Sequence, residues 1–440
     1  MEKVPHWVKE VLGTLEQQGK QAYLVGGCVR DLLMGRSPQD WDVTTDALPE
    51  EVMAAFPGKT IPTGLQHGTV TVRSEHHNVE VTTFRKDGDY LDGRHPSSVE
   101  FTSALEEDLS RRDFTVNAMA MDLRGSIRDP FGGQQDLKAG LLRCVGQPDR
   151  RFGEDALRLM RALRFAATLG FAIEEETARS IHRNAALLQR IAAERILQEM
   201  TKLICGKYML PVLLEYPDVL AVFWPEIAPT VGFDQRNHHH CYSVWEHTVR
   251  AMEQIEPDPV LRYTMLFHDL GKPGSFVSDA SGEGHFYGHA ALSARLAEDM
   301  MQRLRFDKAS QKRIALLVKW HDDRYPMTRR NLLGLLQKLG PEATRQLLAV
   351  KRADNMAKAP KPRYFEMLDE VQQTLQQLLE EGACYHISHL AVSGSDLQRL
   401  GYAGPAIAVT LQRLLLQVMD GKLPNEKEVL CAYAEKIKER

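Results

Sequence analysis

Along the first third of the chain the apolar positions change period repeatedly, and each change predicts an element. Val8, Val11, Leu12 and Leu15 recur at helical spacing, so residues 1–20 should form an amphipathic helix. The stretch YLVGGCVRDLLMGRSPQDWDV, beginning at Tyr23, reads as an apolar strand, a glycine pair, a short helix, a loop and a second strand. LPEEVMAAF, from Leu48, predicts another short helix. From Gly68, GTVTVRSEHHNVEVTTFR alternates apolar and polar residues on both sides of a turn near residues 74–78, the pattern of a β-hairpin. On its second arm Val79 and Val81 share one face, and Glu80, Thr82 and Phe84 share the other. GSIRDPFGG, from Gly125, is expected to be a turn closing the sheet.

Beyond about residue 137 the strand signals largely vanish. Amphipathic helices follow, with apolar stripes such as Leu157, Met160, Leu163 and Ala167, or Phe365, Leu368, Val371, Leu375 and Leu378. Prolines at 148, 225, 229 and 360–362 mark the best breaks. The expected class is α+β: a mixed α/β head with an antiparallel-rich sheet, then an elongated all-α body. The boundaries expected are 1–147, 148–229, 230–362 and 363–440.

Composition narrows the setting. At 440 residues the chain exceeds the roughly 250–300 residues at which single cores stop growing. Hydrophobic content of 43% and charged content of 26% match an ordinary globular protein. The six cysteines are scattered without a CxxC pair, which argues against a disulfide framework or zinc ribbon and fits a reducing cytoplasm. No secretory leader or membrane-spanning run is evident. A formal net charge of −4 offers no global attraction to nucleic acid, so RNA binding would need a local basic surface.

Candidate chemistry concentrates in a few segments. On an extended backbone Asp40 and Asp42 point the same way while Trp41 turns into the fold. Two carboxylates so placed can hold hard cations whose shells are completed by substrate phosphates. Gly26 and Gly27 let backbone N–H groups approach an anion. Together they point to phosphoryl or nucleotidyl transfer; the plain alternative is a Gly-rich turn followed by two solvated aspartates. Glu80 is a candidate third carboxylate. Residues 85–105 read as a long loop, with Asp87, Asp89, Asp92 and Arg94 around Tyr90 favouring a lid. In EDLSRRDFTVNAMAMD, Arg111 and Arg112 suit phosphate oxygens, and Asp113 and Asn117 suit ribose hydroxyls.

RFGEDALRLMRALRFAATLGF is expected to be one helix placing Glu154, Asp155 and Arg158 on a shared face. That arrangement gives either a surface salt bridge or a base reader. In the second case a carboxylate accepts from an exocyclic amine and an arginine donates to a ring nitrogen, admitting cytosine and adenine but rejecting uracil and guanine. Arg195 and Glu199, four apart, read as a structural pair. Further on, His247, His268, Asp269, His289, His321 and Asp354 fall on helices as a second metal-ligand set, with His238, His239 and His240 expected in a loop.

These segments together resemble the class II nucleotidyltransferases, in particular the bacterial CCA-adding tRNA nucleotidyltransferases. GGCVRD with DWD is similar to the first family motif, RRDFTVNA to the second, DPFGG to the third, EDALR to the base-selecting motif and ERILQE to the last. The resemblance implies a cytoplasmic enzyme that adds C, C and A to tRNA 3′ ends from CTP and ATP without a template. It implies two Mg²⁺ ions at Asp40 and Asp42, ribose contacts around Arg112, Asp113 and Asn117, and base reading by Asp155 and Arg158. Arg30, Arg161 and Arg164 join these as expected nucleotide contacts, and residues 85–94 as the loop that helps switch from C to A. Residues 247–354 are similar to the HD phosphohydrolase superfamily, which implies a divalent transition metal at His247, His268, Asp269 and Asp354. The C-terminal helices would hold the tRNA. The rivals are poly(A) polymerase, disfavoured by TGLQHGTV and the complete loop, and a phosphohydrolase whose head only binds RNA.

Overall fold

The computed structural model describes residues 3–88, 99–238, 240–323, 328–358 and 365–438. Two compact units result: Met1–Ala228 with Arg303–Arg305, and Pro229–Gln302 with Phe306–Arg440.

The first unit is built on a seven-stranded sheet in the order β3-β4-β5-β2-β1-β8-β9. The strands are β1 (Ala22–Val25), β2 (Asp42–Thr45), β3 (Thr60–Gly64), β4 (Thr69–Ser74), β5 (His77–Thr83), β8 (Ala120–Met121) and β9 (Ile127–Arg128); between them β6 (Arg85–Asp87) and β7 (Val99–Phe101) form a separate antiparallel pair. Only β2 and β5 pair in parallel within the large sheet. The helical stripe of the N-terminus is realised in α1 (His6–Gln17), whose Val8, Val11, Leu12 and Leu15 are fully buried. They pack with Leu24, Val43, Val70, Val72, Val79 and Val81, the apolar positions of the alternating strands. Each such side chain contributes about 1.5–3 kcal/mol on burial, which fixes which face of the sheet is left for chemistry. Between β4 and β5 the chain turns through Glu75 and His76, both left-handed (φ 47° and 69°), as a two-residue hairpin turn requires.

α2 (Gly27–Leu33) follows β1 and α3 (Pro49–Ala55) follows β2. The expected loop over 85–105 departs from expectation at both ends. Residues 85–87 and 99–101 are paired strands, anchored where the Arg85 guanidinium meets the His67 carbonyl, and α4 (Leu105–Ser110) starts at the far end. Asp89, Tyr90, Asp92 and Arg94 lie outside the described residues, as do His239 and the prolines at 360 and 362; the side chains of Asp87 and Phe365 are likewise not described. DPFGG leads out of β9 into α5 (Gly133–Ala139), with Gly133 pressed so close to the Thr115 carbonyl that no side chain fits.

A second departure concerns the expected single helix over GEDALR. Two helices stand there, α6 (Pro148–Glu154) and α7 (Leu157–Leu169), because Asp155 adopts an extended conformation (φ −139°, ψ 104°). Its carboxylate accepts from the Leu157 amide at 3.0 Å, satisfying one of the donors a helix start leaves open. The apolar stripe of Leu157, Met160, Leu163 and Ala167 is buried as expected. α9 (Ala193–Ile204) packs on α7, and α8 (Glu175–Asn184) packs on α6. Two short strands, Leu141–Leu142 and Ala172–Ile173, pair in parallel where none were expected.

The second unit is helical. Val244–Glu253, Pro259–Phe267, His289–Arg303, Lys308–Trp320 and Arg329–Met356 are its main early helices, the last interrupted at Gly340 before Pro341. The stripe of helix Phe365–Glu380 is realised, with Leu368, Val371, Leu375 and Leu378 buried, the last three in a core with Leu332, Leu336 and Leu347. A smaller core of Val392, Leu397, Leu414 and Leu430 closes the C-terminal end. Among the described residues no helix is long and apolar enough to cross a membrane.

Candidate active site and metal centre

The alternation of β2 and β5 brings the head carboxylates together. Asp42 opens β2 and lies directly opposite Glu80 in the parallel register. Asp40 precedes the strand on an exposed bend, and Trp41 is buried between them, as the spacing predicts. Thr71 Oγ1 donates to Glu80 Oε1 at 2.6 Å, fixing that carboxylate's rotamer. Burial holds the Asp42 carboxyl above the ordinary carboxylate range; Arg112 pulls it down, and the charges of Asp40 and Glu80 push it up again. Three acids against one guanidinium is an excess of negative charge that a divalent cation would relieve, so the donor set fits hard-cation binding.

The glycine turn stands beside this cluster. Gly26 has φ +78°, a conformation L side chains rarely adopt, and a Cβ there would lie 3.3 Å from Arg112 Nη1 and 3.7 Å from Asp42 Oδ2. The buried Cys28 thiol donates to the carbonyls of Val25 (3.2 Å) and Asp42 (3.7 Å), tying the turn to β2.

The remaining head residues are joined in a network. Arg30 Nη1 donates to Asn117 Oδ1 (2.8 Å), Asn117 Nδ2 to Asp113 Oδ1 (3.2 Å), and Arg161 Nε to Asp113 Oδ2 (2.8 Å). Asp113 and Asn117 are buried and committed to protein partners. Burial raises the Asp113 carboxyl, but the charge and hydrogen bonds of Arg161 outweigh it and bring it down to about 2. Arg30, Arg161 and Arg164 all stand over the Phe165 ring, 5.2, 5.3 and 3.8 Å from its centroid, a cation–π cluster of three guanidiniums.

In the neck the expected pairings are rearranged. Arg158 Nη1 bonds Glu154 Oε2 at 2.8 Å and the Arg151 carbonyl at 3.1 Å, while its Nη2 bonds the Arg111 carbonyl at 3.0 Å. Asp155 accepts from Arg195 Nη2 at 3.2 Å. Arg195 and Glu199 are therefore not each other's partners: Glu199 takes Arg164 at 2.5 Å. Both residues of α9 face α7, so their i,i+4 spacing places them on one face, where partners across the helix interface win over each other.

The helical unit carries the second cluster. One donor atom from each of His247, His268, Asp269 and Asp354, and likewise of Asp269, His289 and His321, lies within 4.8 Å of the others. Asp269 belongs to both groups. Its Oδ2 faces His268 Nε2 (3.2 Å) and His247 Nε2 (3.5 Å), and its Oδ1 faces His289 (3.4 Å) and His321 (3.7 Å). The buried atoms His268 Nε2 and Asp269 Oδ2 make no hydrogen bond of good geometry, so the donor set fits a metal ion. His268 Nδ1 and His321 Nδ1 are turned by the carbonyls of Met265 (2.6 Å) and Val318 (2.7 Å), leaving Nε2 for the cluster.

Residues not singled out from the sequence complete this pocket. Lys272 Nζ lies 2.7 Å from Asp269, and Lys358 Nζ 2.6 Å from Asp354. His240 packs edge-on to His247 at 4.9 Å and is held near pKa 2, first by burial and then by Lys272. Its signal was the HHH run, which spacing alone assigned to a loop; Lys272 stood in plain view in HDLGK.

Comparison with known proteins adds an independent line. Family models match at residues 22–143 (poly A polymerase head domain), 170–229 (probable RNA and SrmB-binding site of polymerase A) and 237–359 (HD domain). The CCA-adding enzyme of Geobacillus kaustophilus is 52% identical over 222 residues, 50% of this chain and 55% of that protein. That of Geobacillus stearothermophilus is 53% identical over 208 residues, 47% of this chain and 51% of its own. These matches span about half the length of the curated relatives. The crystal structure of the Bacillus stearothermophilus CCA-adding enzyme in complex with CTP is similar over 98% of this chain and 97% of its own, at 31% identity and a TM-score of 0.75. The Thermotoga maritima CCA-adding enzyme complexed with tRNA shares the fold over 99% of this chain and 97% of its own, with a TM-score of 0.61 at 19% identity.

Proposed function

Because the chain belongs to the family of CCA-adding enzymes, we propose that it completes tRNA 3′ ends with C, C and A, using CTP and ATP and no nucleic-acid template. The observation that carries this is the register of Asp42 against Glu80, with Asp40 alongside and the Gly26 turn and Arg112 at the same edge.

In this reaction the terminal ribose hydroxyl attacks the α-phosphorus. The new P–O bond forms as the α–β bridging P–O bond breaks, and pyrophosphate leaves. Asp40 and Asp42 would hold two Mg²⁺ ions, which when bound acidify the attacking hydroxyl and neutralise the departing charge. Thr71 keeps Glu80 oriented beside Asp42. The backbone of Gly26 and Gly27 and the guanidiniums of Arg111 and Arg112 grip the triphosphate. Asp113, Asn117, Arg30, Arg161 and Arg164 act as the frame that ties α2 to α7 and keeps a positive field at the nucleotide. Asp155 and Arg158 read the base, Asp155 exchanging its bond to Arg195 for one to the exocyclic amine and Arg158 donating to the ring nitrogen. Replacing Asp155 by Ala should then relax the choice of nucleotide. Incorporation assays with all four labelled triphosphates test this; C and A at unchanged ratios would move the selector elsewhere.

A second activity is favoured by the helical unit. The Asp269 carboxylate, with one oxygen toward each ligand group and lysines alongside, suits a metal-dependent phosphohydrolase. His247, His268, Asp269 and Asp354 would hold a divalent transition metal there, and Lys272 and Lys358 would meet substrate phosphate. Phosphatase and cyclic phosphodiesterase assays with added Ni²⁺ or Mn²⁺ test it. Activity unchanged by His268→Ala would rule it out. The cytoplasm is the compartment in which a tRNA substrate and free thiols at Cys28 and Cys144 are both expected.

A further inference from the structure

Asp108, on α4, has a side chain with no exposed surface, yet nothing in the reaction described above uses it. A carboxylate so buried persists only if its charge and lone pairs are met. Its Oδ1 accepts two bonds from Arg111, from Nε at 3.0 Å and Nη2 at 2.7 Å. Its Oδ2 accepts from Arg112 Nη2 at 3.2 Å and from Thr44 Oγ1 at 3.1 Å. Thr44 is two residues beyond Asp42 on β2, on the same side of the strand. Two guanidiniums and a hydroxyl of the strand that carries Asp42 are thus fastened to one buried carboxylate.

The geometry of Arg112 shows what the fastening does. One end of its guanidinium is held by Asp108, and the other, Nη1, lies 3.3 Å from where a Gly26 Cβ would stand, a point 3.7 Å from Asp42 Oδ2. Its buried Nε has no protein partner. A guanidinium without Asp108 would be free to turn toward Asp42, across the Gly26 position, and neutralise the charge that cations need. Asp108 supplies the competing charge, and the Thr44 bond sets its position against β2.

We propose that Asp108 is a positioning residue for nucleotidyl transfer: through Arg111, Arg112 and Thr44 it keeps the phosphate-gripping guanidiniums in register with Asp42 and away from it. This inference rests on the CCA-addition reading. The groups gripped are the phosphates, which CTP and ATP share, so the effect should fall on both nucleotides alike and spare the tRNA.

The test is steady-state kinetics of the full-length Asp108→Asn and Thr44→Val proteins with tRNA lacking its 3′ end. In Asp108→Asn an amide N–H faces an arginine N–H, so KM for CTP and for ATP should each rise about tenfold or more, while KM for tRNA stays within about twofold. Thr44→Val, which keeps the shape and removes the hydroxyl that Asp108 shares with the Thr82 carbonyl, should raise both nucleotide KM values by about two- to fivefold. Unchanged nucleotide KM values, or a loss that falls equally on tRNA, in a folded Asp108→Asn would overturn the inference. If that variant does not fold, Thr44→Val decides by the same readout. Wild-type protein that transfers no nucleotide would overturn the functional reading together with this one. Wild-type transfer with normal nucleotide KM in the variants overturns this one alone.

Discussion

At the scale of single residues the head site is a balance of charge that Asp42 dominates. Its carboxyl is raised in the fold, so its stabilising contribution is complete below the unfolded carboxylate value and is lost as pH rises through the higher folded one. At neutral pH, in the absence of cations, ionised Asp42 therefore weighs against the fold. Asp42→Asn should melt higher than wild type in EDTA, and Mg²⁺ should raise the wild-type Tm but not the variant's; scanning calorimetry checks both. The same variant should lose transfer by more than about a hundredfold, because a cation ligand is gone. Asp113 runs in the opposite sense. Its pairing with Arg161 stabilises the fold above the unfolded value and is lost as pH falls toward about 2, a contribution of about 2 kcal/mol. That Glu80 points away from the buried Val79 and Val81 was legible in the sequence, since strand alternation has a fixed period; the parallel pairing that sets it opposite Asp42 was not. The commitment of Asp113 to Arg161, 48 residues further on, had no local period to reveal it.

At the scale of elements, the break between α6 and α7 sets what the neck can do. The apolar stripe runs on past it, which is why periodicity reads a single helix; Gly153, with an aspartate two residues on able to hold the next helix start, was the available sign. With the break, Asp155 leaves the Glu154–Arg158 face and turns to Arg195 on α9. α9 is thus joined to the break by Asp155–Arg195 and to α7 by Arg164–Glu199, with Arg161 3.9 Å from the same glutamate. Glu199 is buried, so Glu199→Ala leaves Arg164 without its counter-charge. It should cost about 3–5 kcal/mol, read as a lower urea midpoint at unchanged m. A shift below about 1 kcal/mol would mean the pair is solvent-screened rather than structural.

At the scale of the whole molecule, the chain carries two cation chemistries on two kinds of scaffold. The head offers carboxylates alone, suited to hard cations, and the helical unit mixes histidine and carboxylate, suited to transition metals. Replacing Asp269 by Ala should abolish binding of Ni²⁺ or Mn²⁺ in the helical unit, measured by calorimetric titration, while nucleotide addition persists. The HD dipeptide and its spaced partners were legible as a set, but not all stand on the helices expected: His268, Asp269 and His321 lie just past the ends of theirs. Lys358, four residues from Asp354, was legible by spacing as well, whereas the approach of His240 to His247 depends on tertiary packing and was not. The most direct test of the central claim is a transfer assay: the protein, Mg²⁺, tRNA lacking its 3′ end, and each labelled nucleoside triphosphate singly and in combination. The account predicts two C residues from CTP alone and one terminal A once ATP is added, with U and G excluded. Tails of A alone, or release of phosphate without extension of the tRNA, would contradict it.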